Sequence, residues 1–383
     1  MDSSLPIYRP FGTFRFLLAI AVVASHTFPM AFPDGHLLHQ IGIGNVAVMG
    51  FFILSGFIIT EALITFYSDR PMAFMGNRLA RIVPPYWAAL AVSVCVHAAL
   101  AQKGPVWTSA TETMPPGVLG VDSLLENALA IFPRPSELTV ALDHPFYGFV
   151  RFYWAIYIEL LFYGAAFLVA ALTVVPMVRR ARLAGSVVAA AMAIAAILHV
   201  SGEYAGHEIV VFPGREGLSF APYFLTGVSL YFCLTQRFRM ALVGFAASYV
   251  LMALHFSRYV QGKVPLSDEW ASGLLELSHA IPILLLLAVP AALWCFAHIR
   301  AGRFASADWQ LGNLSYPIYL NHWVVIVAMY TLTDGTGLAV QAASIAASIA
   351  LSWVLVHIVE TPMRSVRDQL RGQTLMADNE VIR

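Results

Sequence analysis

Long apolar runs separated by short polar segments dominate the chain. A membrane-spanning helix needs about 20 consecutive apolar residues, and ten runs approach that length. None of them alternates apolar and polar residues with a period of two, as the strands of a membrane barrel do. The pattern predicts an all-α integral membrane protein with about ten transmembrane helices, at residues 15–33, 42–65, 82–101, 148–175, 183–200, 216–234, 240–256, 278–298, 314–333 and 337–358.

The arginines and lysines between these runs indicate how the helices are oriented. Cytoplasmic loops of membrane proteins carry an excess of basic residues. Most of the 22 basic residues lie near the two termini and in the segments that follow an even number of spans. The chain is therefore predicted to have both termini in the cytoplasm. The longest outside segment is then 102–147, which has room for a small lid or an acceptor platform.

The same pattern predicts one ten-span membrane domain at residues 1–365 and a cytoplasmic tail at 366–383. The first apolar run follows two arginines, as the apolar region of a signal peptide does. A histidine within that run and a second span directly after it match a cleaved signal poorly. We therefore interpret the run as a spanning helix.

Composition excludes several classes of protein. Hydrophobic residues make up 59% of the chain and charged residues 11%, which leaves too little polar surface for a water-soluble globule and too much apolar surface for a disordered chain. The formal net charge is zero, so no basic field is predicted to bind nucleic acid. The three cysteines lie inside apolar runs, and neither a disulfide framework nor a metal site is predicted. The lipid bilayer is the expected surrounding.

Arg15 and His26 form the strongest pair of candidate functional residues. Ionisable residues within a membrane span are costly and mark functional sites by default. The two are eleven residues apart, which at about 100° per residue puts them on one face of a helix. A rise of about 1.5 Å per residue places His26 near the bilayer midplane. A structural histidine with an arginine that snorkels to the interface fits this spacing as well.

Glu159 is predicted at a similar depth, since it follows Gly148 by eleven residues in a helix that runs inward. A carboxylate and an imidazole at one depth suit an acid/base pair, in which Glu159 orients His26 and stabilises its cationic form. A structural ion pair of Glu159 with Arg15 or Arg151 is the alternative.

Arg78 and Arg81 are candidates for phosphate binding. Their spacing of three predicts one side of a short cytoplasmic helix, with Pro84 and Pro85 at the start of the third span. Planar guanidinium groups bind phosphate through paired hydrogen bonds. Arginines that merely determine topology follow the same pattern.

Three more polar residues lie in or beside predicted spans. Ser55 is a candidate nucleophile, with a tight helix contact at the neighbouring glycines as the alternative. His322 lies about nine residues into the ninth span, again toward mid-depth. Glu360 is expected to end the last span in an ion pair with Arg364.

Six motifs in this order resemble those of the family-3 membrane acyltransferases, bacterial proteins that O-acylate sugars and other acceptors. Ten spans with both ends inside is also that family's arrangement. Residues 12–14, Gly-Thr-Phe, replace the family's usual Asp-Gly-Leu, and residues 49–50, Met-Gly, replace an acidic residue that often precedes the paired phenylalanines. The motifs are Arg15-x10-His26, Phe51-Phe52-Ile-Leu-Ser55-Gly56-Phe57, Arg78-x-x-Arg81-Ile-x-Pro84-x-Tyr86, Trp154…Glu159-x-x-Phe162-Tyr163, Leu314-Ser315-x4-Leu320-x-His322 and Glu360-x-Pro362-x-Arg364.

The resemblance implies an O-acyltransferase of the bacterial inner membrane with an acyl-CoA donor, usually acetyl-CoA. The implied acceptor is a hydroxyl of a carbohydrate or lipid-linked carbohydrate, and size and layout are most similar to the exopolysaccharide acetyltransferases. Taken with the residues themselves, it assigns catalysis to Arg15, His26 and Glu159, and donor binding to Arg78, Arg81 and Arg15. Substrate-binding or structural roles are expected for Ser55, Tyr86, Trp154, His322 and Glu360.

We expect CoA to enter from the cytoplasm with its phosphates at Arg78 and Arg81, while His26 acts as general base on the acceptor hydroxyl. An acyl-enzyme on His26 or Ser55 is the alternative chemistry. A multi-span transporter, with midplane charges that line a path, is the hypothesis from another class, and a membrane scaffold is a third. Acetyl-CoA consumption that requires an acceptor would separate the three.

Overall fold

The chain folds into a bundle of helices. The computed structural model describes residues 9–32, 36, 38, 41–133, 146–174, 219–235, 239–263, 277–299, 302–333 and 335–372, and no strand occurs in these ranges. The predicted span at 183–200 lies outside the described residues. The helices are α1 Phe11–Ala31, α2 Ile43–Thr65, α3 Pro71–Ala101, α4 Val121–Leu129, α5 Tyr153–Val174, α6 Ala221–Thr235, α7 Arg239–Lys263, α8 Leu277–His298, α9 Ala305–Leu332, α10 Leu338–Leu355 and α11 Thr361–Arg371.

Within the described ranges, six helical stretches are long and apolar enough to cross a membrane, which makes the chain a multi-pass membrane protein. Two shorter apolar helices, Ala221–Thr235 and Ala241–Ser257, accompany them. Ten spans and cytoplasmic termini stay predictions. The six stretches are Phe11–Ala31, Ile43–Thr65, Pro71–Ala101, Tyr153–Leu172, Ala280–His298 and Leu338–Arg371.

Helix α9 is long enough to span a bilayer but is more polar than these six. It packs against α1, α3 and α10, and every residue from Pro317 to Val327 is buried. Its polar side chains, among them Asn321 and His322, therefore face protein rather than lipid. This explains how a span can carry such residues.

Helix α3 corrects one expectation from the sequence. Arg78 and Arg81 do not lie on a short separate helix, because α3 runs without a break from Pro71 to Ala101 with Pro84 and Pro85 inside it. Neighbouring helices satisfy backbone groups that prolines leave unpaired in membrane helices. The Tyr316 hydroxyl of α9 also donates to the Ile82 carbonyl at 3.1 Å and so ties α9 to this part of α3.

The end of the last span corrects a second expectation. The helix does not stop at Glu360: a π-helical turn at Val356–Glu360 leads directly into α11. Glu360 pairs with Arg367 at 2.9 Å, not with Arg364, whose guanidinium lies 4.0 Å from the Trp309 ring centroid. The wider turn changes the register between the span that precedes it and α11.

Helix α11 is fastened to the first turns of α3. The Arg70 guanidinium donates to the carbonyls of Leu370 and Arg371, at 2.9 Å and 3.1 Å. The Asn77 amide donates to the Arg367 carbonyl at 2.8 Å. Residues 366–371, expected to belong to the tail, are therefore part of a docked helix.

Close contact between α2 and α6 fixes the segment that carries Ser55. An added Cβ at Gly56 would lie 2.1 Å from the Phe224 carbonyl oxygen, and one at Gly227 would lie 1.9 Å from the Ile53 carbonyl oxygen. Small residues allow membrane helices to approach this closely. The tight contact expected around Ser55 is thus made by Gly56, and the Ser55 side chain is left for another partner.

Candidate active site

Five helices, α1, α2, α3, α5 and α9, surround one polar cavity, which we call the Glu159 cavity. Its lining also includes Tyr316 and Tyr319 of α9. With Ser315 of α9 in the lining as well, five of the six motifs contribute a polar or charged side chain to one cavity between helices far apart in the sequence. The polar and charged lining residues from α1, α2, α3 and α5 are Arg15, Ser55, Arg78, Arg81, Glu159 and Tyr163.

The Glu159 carboxylate is held by two hydroxyl groups. Ser55 of α2 donates to Glu159 Oε1 at 2.8 Å, and Tyr163, one turn later on α5, donates to the same oxygen. Two hydrogen bonds from different helices fix the position of this carboxylate oxygen. Glu159 is therefore equipped either to accept the Ser55 proton or to stabilise a cationic partner.

The Arg78 side chain is fixed by aromatic rings rather than by a carboxylate. Its guanidinium carbon lies 5.5 Å from the Phe74 ring centroid and 5.8 Å from that of Tyr163. The Arg78 Nε atom is buried and has no hydrogen-bond partner among the described residues. Within the same part of the chain, neither Arg78 nor Arg81 forms an ion pair. The two arginines thus offer positive charge that no carboxylate of the described chain takes up.

Asp308 of α9 positions the start of α1, which carries Arg15. One carboxylate oxygen accepts from the Gly12 backbone N–H at 3.0 Å, and the other accepts from the N–H and the hydroxyl of Thr13, each at 2.6 Å. The first N–H groups of a helix have no partner within it, so Asp308 supplies the cap. No local sequence pattern links Asp308 to α1, because the residue follows Gly12 by 296 positions.

His26 lies in a second group of side chains, which we call the histidine layer. Its ring stacks on Phe152 with centroids 4.2 Å apart, and lies 5.5 Å from the ring of His322. Phe152 and His322 are nearly parallel, 8° apart, at 4.9 Å. The layer thus joins α1, α9 and the segment that leads into α5.

The structure does not place His26 in the Glu159 cavity, whose lining does not include it. Phe152, against which His26 stacks, precedes Glu159 by seven residues, or about 10 Å along a helix. Arg151, the other candidate partner of Glu159, lies over the Trp323 ring at 4.6 Å. The His26–Glu159 acid/base pair stays a prediction, to be judged against this separation into two regions.

The remaining candidates make contacts outside the cavity lining. The Tyr86 hydroxyl donates to the Asn127 carbonyl at 2.5 Å and so ties α3 to α4. Trp154 packs against Phe220, with centroids 5.7 Å apart. Glu360 is engaged by Arg367, as described above.

The model of the acyltransferase domain of acyltransferase family 3 matches residues 12–357, nearly the whole chain. No curated protein and no solved structure gives a significant match. Nothing in the described residues favours the transporter hypothesis. Arginines, a carboxylate and a histidine on these helices accord with an acyl-transfer site, and the length of the match shows that the chain belongs to acyltransferase family 3.

Proposed function

We propose that this membrane protein transfers an acyl group, most simply acetyl, from cytoplasmic acyl-CoA to a hydroxyl of a carbohydrate acceptor. An exopolysaccharide or its lipid-linked precursor at the bacterial inner membrane is the proposed acceptor. One observation carries this proposal: Arg15, Arg78 and Arg81 converge on a cavity that also holds Glu159. A transferase for a charged donor needs cationic groups and an acid/base group within reach of each other.

The donor end of the proposed site consists of arginines. CoA carries phosphate groups, and guanidinium groups bind phosphate with charge-assisted hydrogen bonds. Arg78 and Arg81 project from α3 into the cavity, and the Arg78 Nε lacks a protein partner among the described residues. In our proposal the phosphates bind these two arginines, and the pantetheine arm extends along α1 past Arg15.

The chemical step joins the cavity to the histidine layer. His26 accepts the proton of the acceptor hydroxyl while the hydroxyl oxygen bonds to the thioester carbonyl carbon. Collapse of the tetrahedral intermediate breaks the carbon–sulfur bond, and the CoA thiolate leaves with the proton from His26. Atoms and charge balance, and neither metal nor oxidant is needed.

A relay through Ser55 is the second chemical route, and the Ser55–Glu159 hydrogen bond of 2.8 Å favours it. Glu159 would take the Ser55 proton, the serine oxygen would accept the acyl group, and CoA would leave before the acceptor reacts. Incubation with radiolabelled acetyl-CoA in the absence of acceptor separates the routes. Label bound covalently to wild type but not to Ser55→Ala indicates the relay.

The function itself is tested with purified protein in lipid nanodiscs. The donor is radiolabelled acetyl-CoA, and the acceptor is de-O-acetylated exopolysaccharide from the bacterium that makes the protein. We expect CoA release and labelled polysaccharide together, and neither without acceptor. Glu159→Gln should lose this activity, whereas Glu61→Gln, which removes a carboxylate that pairs with Arg9, should keep it. A wild type that never transfers label to the polysaccharide contradicts the proposal.

A further inference from the structure

His322 has one ring nitrogen bound to the backbone and one that is not. The Nδ1 atom lies 2.8 Å from the Tyr319 carbonyl oxygen and 3.3 Å from that of Ile318. A carbonyl oxygen can only accept, so Nδ1 carries the hydrogen. In the neutral ring Nε2 is then a hydrogen-bond acceptor.

That acceptor is buried without a partner. His322 is fully buried, and its Nε2 atom has no hydrogen bond among the described residues. Buried polar atoms in folded proteins are nearly always paired. Among the atoms without a partner in the described residues, His322 Nε2 lies beside the candidate general base, where it is available to a hydrogen-bond donor on a bound molecule.

His97, a second buried histidine, has a hydrogen-bond partner at each ring nitrogen. His97 of α3 is also fully buried, and its Nδ1 likewise contacts the carbonyl oxygen four residues earlier, that of Ser93, at 2.7 Å. Its Nε2, however, is 2.8 Å from the Tyr147 hydroxyl. The same local geometry thus leaves no free atom at His97 and one at His322.

The position of His322 limits what the molecule can be. Its ring is 5.5 Å from that of His26, and Phe152 stacks on both. Phe152 lies in the non-helical segment just before α5 and is itself only partly buried. A neutral imidazole in such aromatic surroundings suits a neutral hydroxyl rather than an ion.

We propose that His322 Nε2 accepts a hydrogen bond from a hydroxyl of the acceptor adjacent to the hydroxyl that His26 deprotonates. The site thereby selects acceptors with two neighbouring hydroxyl groups, as sugars have, over monohydric alcohols and lipids. An acceptor without the second hydroxyl leaves Nε2 unpaired, and sites of this kind reject such analogues strongly. This inference rests on the proposed function.

Two substitutions of His322 separate acceptor binding from structure. Asn reproduces the Nδ1 position but has no atom at Nε2, whereas Gln places an amide group near Nε2. With the exopolysaccharide acceptor, we expect His322→Asn to raise the acceptor KM roughly tenfold or more, with unchanged equilibrium binding of CoA. His322→Gln should recover part of the loss.

The matched control is His97→Asn, which should lower thermal stability but leave the acceptor KM unchanged. A wild-type acceptor KM in His322→Asn overturns the inference, and so does an equal loss of kcat and stability in both His322 variants with KM unchanged. A wild type that does not acylate the polysaccharide removes the proposed function, whereas an active wild type with unaffected variants removes this inference alone.

Discussion

The Glu159 cavity and the histidine layer consist of different kinds of side chain. The cavity contains full charges, and its carboxylate is held by hydroxyl groups from two helices. The histidine layer consists of stacked rings, and its His322 Nε2 atom has no hydrogen-bond partner among the described residues. This contrast suits the two proposed substrates, since CoA is anionic and a sugar hydroxyl is neutral.

Both regions share helix α1, and this sets the spacing between them. Arg15 lies in the first turns of α1 and His26 eleven residues later, about 16 Å along the helix. A long flexible donor arm can bridge such a distance, whereas two side chains cannot. The comparison therefore separates donor binding from acceptor activation, and each can be disrupted on its own.

The largest expected effect comes from the histidine layer. His26→Ala should lower the transfer rate by about 10²–10⁴, as removal of a general base does, and should leave CoA affinity unchanged. Single-turnover transfer and equilibrium CoA binding measure the two quantities. The control is His357→Ala, which removes an exposed histidine whose ring packs at a tilt against Trp353. Weakened CoA binding in His26→Ala would mean that the two regions are not separate.

The next largest effect is expected in the cavity, where a substitution should weaken CoA binding rather than slow the transfer step. Arg78→Ala and Arg81→Ala should each weaken CoA binding by about 1.5–3 kcal/mol, roughly tenfold to a hundredfold in Kd. Arg81→Lys should be intermediate, because lysine keeps the charge and loses the planar fork.

Calorimetric titration with CoA at low and moderate salt tests this, with Arg70→Ala as the control. Arg70 directly precedes the same helix, but its guanidinium binds the end of α11. Wild-type binding should fall with salt more steeply than binding to the double alanine variant. Wild-type affinity in that double variant would leave Arg78 and Arg81 as determinants of topology.

The smallest expected effect concerns the contact between α1 and α9, the two helices that contribute to both regions. Asp308→Asn should lower the free energy of unfolding by about 1 kcal/mol, because α1 loses part of its cap. Denaturant unfolding in detergent measures this change, and Thr13→Val should lose less because the backbone bonds remain. Unchanged stability in Asp308→Asn would show that packing alone holds the start of α1.

The sequence predicted the helices and most of the cavity for a physical reason. Apolar length and ionisable residues inside apolar runs are local signals, so Arg15, Arg78, Arg81 and Glu159 could be selected without knowledge of contacts. The pairing of Ser55 with Glu159 could not be, since it depends on where α2 and α5 meet. Depth counted along one helix also gave no information on helix tilt or on lateral neighbours, which is why Phe152 and His322 were not linked to His26.

Regular helical spacing did not predict the ion-pair partner of Glu360. Glu360 and Arg364 are four residues apart, which predicts an ion pair on a regular helix. A π-helical turn ends at Glu360 and the chain continues as α11, in which Arg364 lies over the Trp309 ring and Arg367 pairs with Glu360. Nothing in the local sequence signals that turn beyond Pro362, which fits an ended helix as well as a widened one.

The polarity of α9 has a consequence for how the protein is made. A helix that carries Asn321 and His322 and is less apolar than its neighbours partitions poorly into lipid by itself. Its partners α1 and α3 are synthesised long before it, and α10 directly after it. Membrane insertion of α9 therefore depends on helices already in place, so that His322 reaches His26 only late in biogenesis.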